Sequence, residues 1–277
     1  MPELPEVESI VRELNQADLI GGRWSGARIY WPRTVAAPDA PDLAAAVPGL
    51  GIERIARRGK FIVFELTQAR RLLIHLRMSG RLSLDKGWPQ CHAHARLALR
   101  LEDGRVLVFL DPRKFGRVWL LAHGEPSPLD ALGVEPLSPA LSVPFLTRRL
   151  AGRTAAIKTL LLNQTLIAGV GNIYADESLW EARIHPLAPG AALRPDAMRR
   201  LRRALRRVLR RALRADGTSL GTGKGNFYGL NGQPGRNQTN LKVYRRTRLP
   251  CPVCARPIER IVVAQRSTHF CPHCQKR

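Results

Sequence analysis

Four of the five cysteines in this 277-residue chain fall within its last 27 residues, as Cys251-x-x-Cys254 and Cys271-x-x-Cys274 with sixteen residues between the pairs. Two chelating knuckles at that spacing can wrap one tetrahedral Zn²⁺. A disulfide framework would instead spread its cysteines through a small secreted domain, so the pairing also points to a reducing compartment. Four thiolates leave no coordination position open for substrate, and the metal is therefore expected to be structural. The run Ile261-Val262-Val263 is enough for one strand of a β-hairpin between the knuckles. Arg266, near the hairpin tip, is placed to offer a guanidinium to phosphates. Taken alone, such a hairpin identifies a nucleic-acid- or protein-binding module and not an enzyme. Cys91 stands apart and reads as a plain small residue.

A second group of reactive types opens the chain: Met1-Pro2-Glu3-Leu4-Pro5-Glu6. A small second residue permits removal of the initiator methionine, which would leave Pro2 with a free secondary amine. Such α-amino groups titrate near a pKa of ~8, so a useful fraction is unprotonated at neutral pH. A secondary amine that attacks a sugar C1′ forms an iminium, and a neighbouring carboxylate such as Glu3 suits a general acid. Without other support the pair carries little weight, because proline is common at position two.

The charge narrows the partner. Lys and Arg number 45 against 22 Asp and Glu, a formal net charge of +23. That surface attracts polyanions, of which DNA phosphate is the commonest. An arginine-rich surface also occurs without function, so charge says polyanion and stops there. With no long apolar run and no secretory start, the chain is expected to be soluble, cytoplasmic and nucleoid-associated, a monomer with no membrane partner.

The elements that must position these groups divide in two. A helix begins near Pro5, with Val7, Ile10, Val11 and Leu14 at helical spacing. Strand-like runs follow over 52–56, 60–66 and 71–76, then 97–101 and 106–110 joined by Glu102-Asp103-Gly104. Such spacing suggests an antiparallel sandwich or barrel. Five prolines between 124 and 144 read as a linker. Beyond it the period turns helical over 156–162 and 173–184, flanking Ala168-Gly169-Val170-Gly171-Asn172. A long helix then runs from Pro195-Asp196 towards Gly217, apolar along Leu201, Leu205, Val208, Leu209 and Ala212, with an arginine face read as solvated.

Six motifs in order then carry a resemblance. They are Pro2-Glu3-Leu4-Pro5-Glu6-Val7-Glu8, Arg57-Arg58-Gly59-Lys60-Phe61, His75-Leu76-Arg77-Met78-Ser79-Gly80, Asp111-Pro112-Arg113-Lys114-Phe115-Gly116, Gly169-Val170-Gly171-Asn172-Ile173-Tyr174-Ala175 and Ala264-Gln265-Arg266. With the cysteine hairpin, they resemble the formamidopyrimidine-DNA glycosylases (Fpg/MutM) of the Fpg/Nei family. Leu4 favours this group over the endonuclease VIII group, which typically has glycine there.

The resemblance implies a bifunctional glycosylase and AP lyase of base excision repair. It would excise oxidised purines (8-oxoguanine and formamidopyrimidines) from double-stranded DNA through an N-terminal proline Schiff base, followed by β,δ-elimination. Pro2 matches the nucleophile, Glu3 the acid that protonates the sugar ring oxygen, and Lys60 a phosphate-holding catalytic lysine. Arg266 matches the hairpin arginine on the DNA backbone and completes this catalytic set. An extruded base leaves a gap that must be filled. Met78, Arg113 and Phe115 match the fillers, and a flexible wedge, a guanidinium and a ring suit that task. Asn172 matches a phosphate contact at a helix start, and His92 a histidine that contacts DNA. Cys251, Cys254, Cys271 and Cys274 would hold one structural Zn²⁺, the only cofactor implied.

Three departures stand out. Thr154 occupies a place that is usually basic, and the adjacent Arg153 is carried as its substitute at the DNA. The 217–244 segment is about four residues longer than the family pattern, with Arg236-Asn237 where aromatic residues are typical. Arg77 replaces a typical glycine. The fold expected is α+β: an N-terminal helix plus antiparallel β-sandwich over 1–130, a helix–two-turn–helix domain over 131–235, and a β-hairpin zinc finger over 236–277. The rival readings are an oxidised-pyrimidine glycosylase of endonuclease VIII type and a non-catalytic zinc-finger protein that binds lesion DNA.

Overall fold

The computed structural model describes residues 1–89, 93–221 and 227–276. The chain forms two compact units, Met1–Asp130 with Ala215–Arg236, and Ala131–Arg214 with Asn237–Arg277.

The first unit opens with α1 (Leu4–Gln16). Val7, Ile10, Val11 and Leu14, spaced to share one face, are all buried, and Pro5 sits in the first turn, where its missing N–H costs nothing. The strands β1 (Trp24–Ile29), β2 (Val35–Ala37), β3 (Ile52–Arg58), β4 (Phe61–Leu66), β5 (Arg70–His75), β6 (Arg81–Lys86), β7 (Ala95–Leu101), β8 (Arg105–Leu110) and β9 (Arg117–Ala122) follow, with α2 (Ala40–Ala46) between β2 and β3. They build a four-stranded sheet in the order β1-β7-β8-β6 and a five-stranded sheet in the order β2-β9-β5-β4-β3. All pairings are antiparallel except the short β2–β9 contact, which is parallel.

Alternation along the strands explains the sandwich. Leu97, Leu99, Leu107 and Phe109 from one sheet join Ile62, Phe64, Leu72, Ile74, Val118 and Leu120 from the other in a single core, closed at one side by α1. Both faces of β8 are covered, because Val106, Val108 and Leu110 pack with Ala95, Ala98 and Trp88 in a second cluster. The sequence reading missed β1, β2, β6 and β9. In β6 only Leu82 is buried, and β9 pairs with β5 some 47 residues earlier, so long-range pairing rather than a local signal makes them strands.

The second unit holds α3 (Val143–Leu150), α4 (Ile157–Leu162), α5 (Asn172–Ala182), α6 (Pro195–Arg214) and the hairpin β10 (Glu259–Val263) to β11 (Arg266–Phe270). The proline-rich stretch read as a linker runs into α3, where Pro144 occupies the first turn and the Ser142 hydroxyl accepts from Phe145 N at 3.2 Å. In α6, Leu201, Leu205, Val208, Leu209 and Ala212 are buried. Its arginine face is partly occupied: Arg202 and Arg206 donate to the carbonyls of Leu141 and Ser138, and Arg207 pairs with Glu181. Among the described residues no helix is long and apolar enough to cross a membrane.

The segment 215–236 packs in the first unit, whereas the sequence reading grouped it with the helices. Two carboxylates on α1 hold it there. Glu6 Oε1 accepts from Thr218 N at 2.7 Å, and Glu13 Oε2 from Asn231 N at 3.2 Å. Burial pushes the Glu13 carboxyl up, while the N–H groups of Asn231 and Leu230 pull it down.

Phe109 is wedged between two glycines that the filler loops require. A Cβ on Gly80 would lie 2.8 Å from its ring, and one on Gly116 would lie 2.2 Å away. Gly116→Ala is therefore expected to cost about 1–3 kcal/mol through overpacking, read as a lowered urea midpoint with an unchanged m-value. A midpoint equal to that of the parent would show that Phe109 can move aside.

Candidate active site and nucleic-acid contacts

Pro2 and Glu3 are both buried at the head of α1, while Met1 is 42% exposed. With Met1 attached, the Pro2 nitrogen is an amide and has no lone pair for attack. A capping box fixes this end of the chain, in which Glu3 N donates to Glu6 Oε2 at 2.8 Å and the Glu3 side chain accepts from the Glu6 backbone. Glu6 thus binds the residue beside the proposed nucleophile with one oxygen and Thr218 with the other. Sequence reasoning gave it no role, although a glutamate three residues after an N-cap is a recognised signal.

Lys60 is buried, and it lies in the turn and not on the strand that the sequence reading expected. Gly59 and Lys60 form the two-residue connection between β3 and β4, closed by the Arg58–Phe61 pair. Gly59 has φ +57, as the first position of such a turn requires. Arg57 braces the turn by donating to Gly59 O at 3.0 Å and to Glu8 Oε2 at 2.8 Å. Nearby, burial and the Arg77 and Lys60 charges hold the His75 imidazole down at about 3. Its ring stands edge-on to Phe61 at 4.6 Å, and its Nδ1 accepts from Arg77 N at 3.1 Å. Arg77 has φ +53, the left-handed region that the more usual glycine would enter without strain.

The three filler residues share one organiser. Met78 and Phe115 are 46% and 47% exposed, unusual for large apolar side chains, and Arg113 stacks over the Phe115 ring at 4.8 Å. Asp111, fully buried, accepts from Gly116 N at 2.7 Å and Arg113 N at 3.2 Å, and also from the hydroxyl of Ser79. One carboxylate therefore sets both the loop carrying Arg113 and Phe115 and the turn carrying Met78. His92 lies outside the described residues.

In the second unit the four cysteine sulfurs all lie within 4.8 Å of one another, and none is in a disulfide. Cys251–Cys274 and Cys254–Cys271 separations are 3.9 and 3.4 Å. A tetrahedral Zn²⁺ with Zn–S of ~2.3 Å needs sulfurs ~3.8 Å apart, so the donor set fits. Burial and the neighbouring sulfurs push the Cys271 and Cys274 thiols up, a crowding that a divalent cation would relieve. Trp180 of α5 packs on this cluster with Val243 and Ile258.

Arg266 is exposed and follows the tip residues Ala264 and Gln265, both with positive φ, which is the tight two-residue turn of a hairpin. Asn172 is the first residue of α5, and its Nδ2 donates inward to Ser267 O at 2.9 Å and the Tyr244 hydroxyl at 3.4 Å. Arg153 is exposed between α3 and α4, with its carbonyl accepting from Ala191 N at 2.8 Å.

Three domain families match in order along the chain: the formamidopyrimidine-DNA glycosylase N-terminal domain over residues 1–118, its H2TH domain over 132–224, and the zinc finger found in FPG and IleRS over 248–277. The chain belongs to the formamidopyrimidine-DNA glycosylase family. It carries that family's zinc finger, with Cys251, Cys254, Cys271 and Cys274 as the set for one structural Zn²⁺. Its α+β fold, sandwich, helical domain and hairpin are those of known family structures. A formamidopyrimidine-DNA glycosylase of Chloroflexus aurantiacus is 47% identical, over 99% of this chain and 98% of that protein. The MutM (Fpg) crystal structure from Thermus thermophilus superposes with a TM-score of 0.89 at 42% identity, covering 99% of this chain and 98% of that one. The Lactococcus lactis Fpg, 34% identical with a TM-score of 0.90, has been solved with DNA containing an abasic site, over 99% of this chain and all of that one. Further Lactococcus complexes hold Fapy-dG and oxidised-pyrimidine DNA.

Two outcomes test this geometry. Asp111→Ala strands three donors and should cost about 3 kcal/mol or more, seen as a lowered urea midpoint. An unchanged midpoint would remove Asp111 from its organising role. His75 stays neutral in the folded chain down to about pH 3, whereas the unfolded chain takes up a proton near pH ~6.5. Stability from this residue is present above that pH and falls by ~1.4 kcal/mol per unit as the pH drops towards 3. His75→Phe should flatten that stretch of the stability–pH curve; an unaltered slope would refute the assignment.

Proposed function

We propose that the chain excises oxidised purines from duplex DNA and then cuts the strand, with the Pro2 amine as nucleophile once Met1 is removed. The observation that carries this reading is the buried Pro2–Glu3 pair at the head of α1, immobilised by Glu6. A catalytic amine has to be held still and out of bulk water, and the burial of Pro2 beside the capped Glu3 supports this reading.

In the proposed sequence, the Pro2 lone pair attacks C1′ of the deoxyribose, and the C1′–O4′ bond breaks with its electrons going to the ring oxygen, which takes a proton from Glu3. The damaged base departs with the electrons of its glycosidic bond and takes up the proton that the Pro2 amine sheds as it becomes an iminium. The iminium that forms acidifies the C2′ proton, and its loss expels the 3′ phosphate. A second elimination expels the 5′ phosphate. Lys60 supplies positive charge to a backbone phosphate. Met78, Arg113 and Phe115 fill the space that the extruded nucleotide leaves. Arg266, Asn172 and Arg153 are assigned to backbone phosphates, His92 to DNA, and the bound Zn²⁺ holds the hairpin that presents Arg266. The 217–244 segment, bonded to α1 at Thr218 by Glu6 and at Asn231 by Glu13, is assigned to cover the flipped base.

The test is a lesion panel run with borohydride, using Met1-free, zinc-loaded protein and duplexes carrying 8-oxoguanine, a formamidopyrimidine or thymine glycol. The expected result is a reduced covalent adduct on Pro2, fastest with the purine lesions, and none with protein that retains Met1. Glu3→Gln should slow base release by about 10²-fold or more. No adduct on any duplex would leave only a lesion-binding protein. Thymine glycol handled as fast as the purines would shift the substrate to oxidised pyrimidines, for which the Lactococcus complex is a precedent.

A further inference from the structure

In the second unit, α4, α5 and β11 meet at a buried polar junction that none of the assigned roles uses. Lys158 and Asp176 are fully buried and form an ion pair at 2.6 Å. Lys158 Nζ also donates to Thr268 Oγ1 at 2.7 Å and to Ser267 O at 2.9 Å. The other Asp176 oxygen, Oδ2, accepts from His269 N at 2.9 Å and lies 3.2 Å from His269 Nδ1. The Ser267 carbonyl is held twice, since Asn172 Nδ2 donates to the same oxygen at 2.9 Å. The next residue of α5, Glu177, accepts from the backbone N–H groups of Lys242, Val243 and Tyr244 at 2.9–3.0 Å. The Tyr244 ring in turn stands edge-on to His269 at 5.0 Å.

A buried ion pair is a poor means of gaining stability, because desolvation consumes most of its Coulomb energy and apolar residues of the same volume do as well or better. What it supplies is direction: each charge is satisfied at only one register of the partner. Here the partners are Ser267, Thr268 and His269, consecutive residues of β11 immediately after Arg266. A slip of β11 by one residue would take the Thr268 hydroxyl from Lys158 and the His269 ring from Asp176, leaving the two buried charges only each other. The residue sharing the Ser267 carbonyl with Lys158 is Asn172, at the start of α5.

We propose that Lys158 and Asp176 are positioning residues for phosphate binding, locking β11 onto α5 so that Arg266 and Asn172 meet DNA as one pre-assembled unit. Arg266 sits on a hairpin with a small core, and without this junction its guanidinium would have to be ordered at the moment of binding, at a cost in affinity. The proposal rests on the reading that Arg266 holds a backbone phosphate.

The experiment is a double-mutant cycle on the full-length, zinc-loaded protein, with undamaged duplex DNA as the ligand across a salt series. Arg266→Ala should weaken binding about tenfold and reduce the salt slope by about one in the parent. Asp176→Asn, which keeps the shape and removes the charge, should bring most of the same loss. In the Asp176→Asn background Arg266→Ala should then cost less than about twofold, with no further change in slope. A role confined to stability would lower the melting temperature and leave the Arg266→Ala penalty intact, so equal penalties in the two backgrounds overturn the coupling alone. Arg266→Ala without effect in the parent overturns the phosphate reading, and this proposal with it. Should Asp176→Asn fold poorly, Lys158→Met with Asp176→Leu removes both charges together and enters the same cycle.

Discussion

A buried carboxylate accepting backbone N–H groups is the interaction on which the functional parts of this protein depend. Glu6 takes the N–H of Glu3 and of Thr218, Asp111 those of Arg113 and Gly116, Asp176 that of His269, and Glu177 those of three consecutive residues from Lys242. A carboxylate is the strongest acceptor a side chain offers, and inside a protein its bonds to fixed N–H groups are short and directional. In a chain with 45 basic and 22 acidic residues, several of the scarce acids are withdrawn into the scaffold. The basic groups are left to face a polyanion.

That division explains what could be read from sequence. The metal site was legible because four cysteines must be close in both sequence and space, and their spacing states the geometry. Order alone puts Pro2 and Glu3 at the head of the chain, and their role was suggested by the resemblance, not by local pattern. The helices of the second unit were visible through their apolar stripes, and the cores of β4, β5, β7 and β8 through alternation. The organising acids were harder to see, because their partners are remote: Glu6 and Thr218 are 212 residues apart, and Asp176 and His269 are 93 apart. No local pattern marks such a pair. Asp111 stood inside a recognised motif, yet only the fold shows that it reaches back to Ser79. Lys60 was expected at the start of a strand, and the turn it occupies follows from Gly59, whose positive φ reverses the chain so that β4 begins only at Phe61.

The start of α5 and the hairpin of the second unit are tied in the same way. Asn172, expected at DNA, turns its amide donor towards Ser267, and that carbonyl follows Arg266 directly. The side chain expected at DNA thus supports a neighbouring strand, and the start of α5 helps to place the hairpin.

The double use of Glu6 has a further consequence. Its two oxygens tie the stretch after Gly217 to the residue that follows Pro2, so neither can shift without altering the other's hydrogen bond. Anything that stabilises the Thr218 bond must, by reciprocity, stabilise the Glu3 bond through the same carboxylate. A displacement at either end of this bridge is therefore felt at the other, although Glu3 and Thr218 are more than two hundred residues apart in the chain.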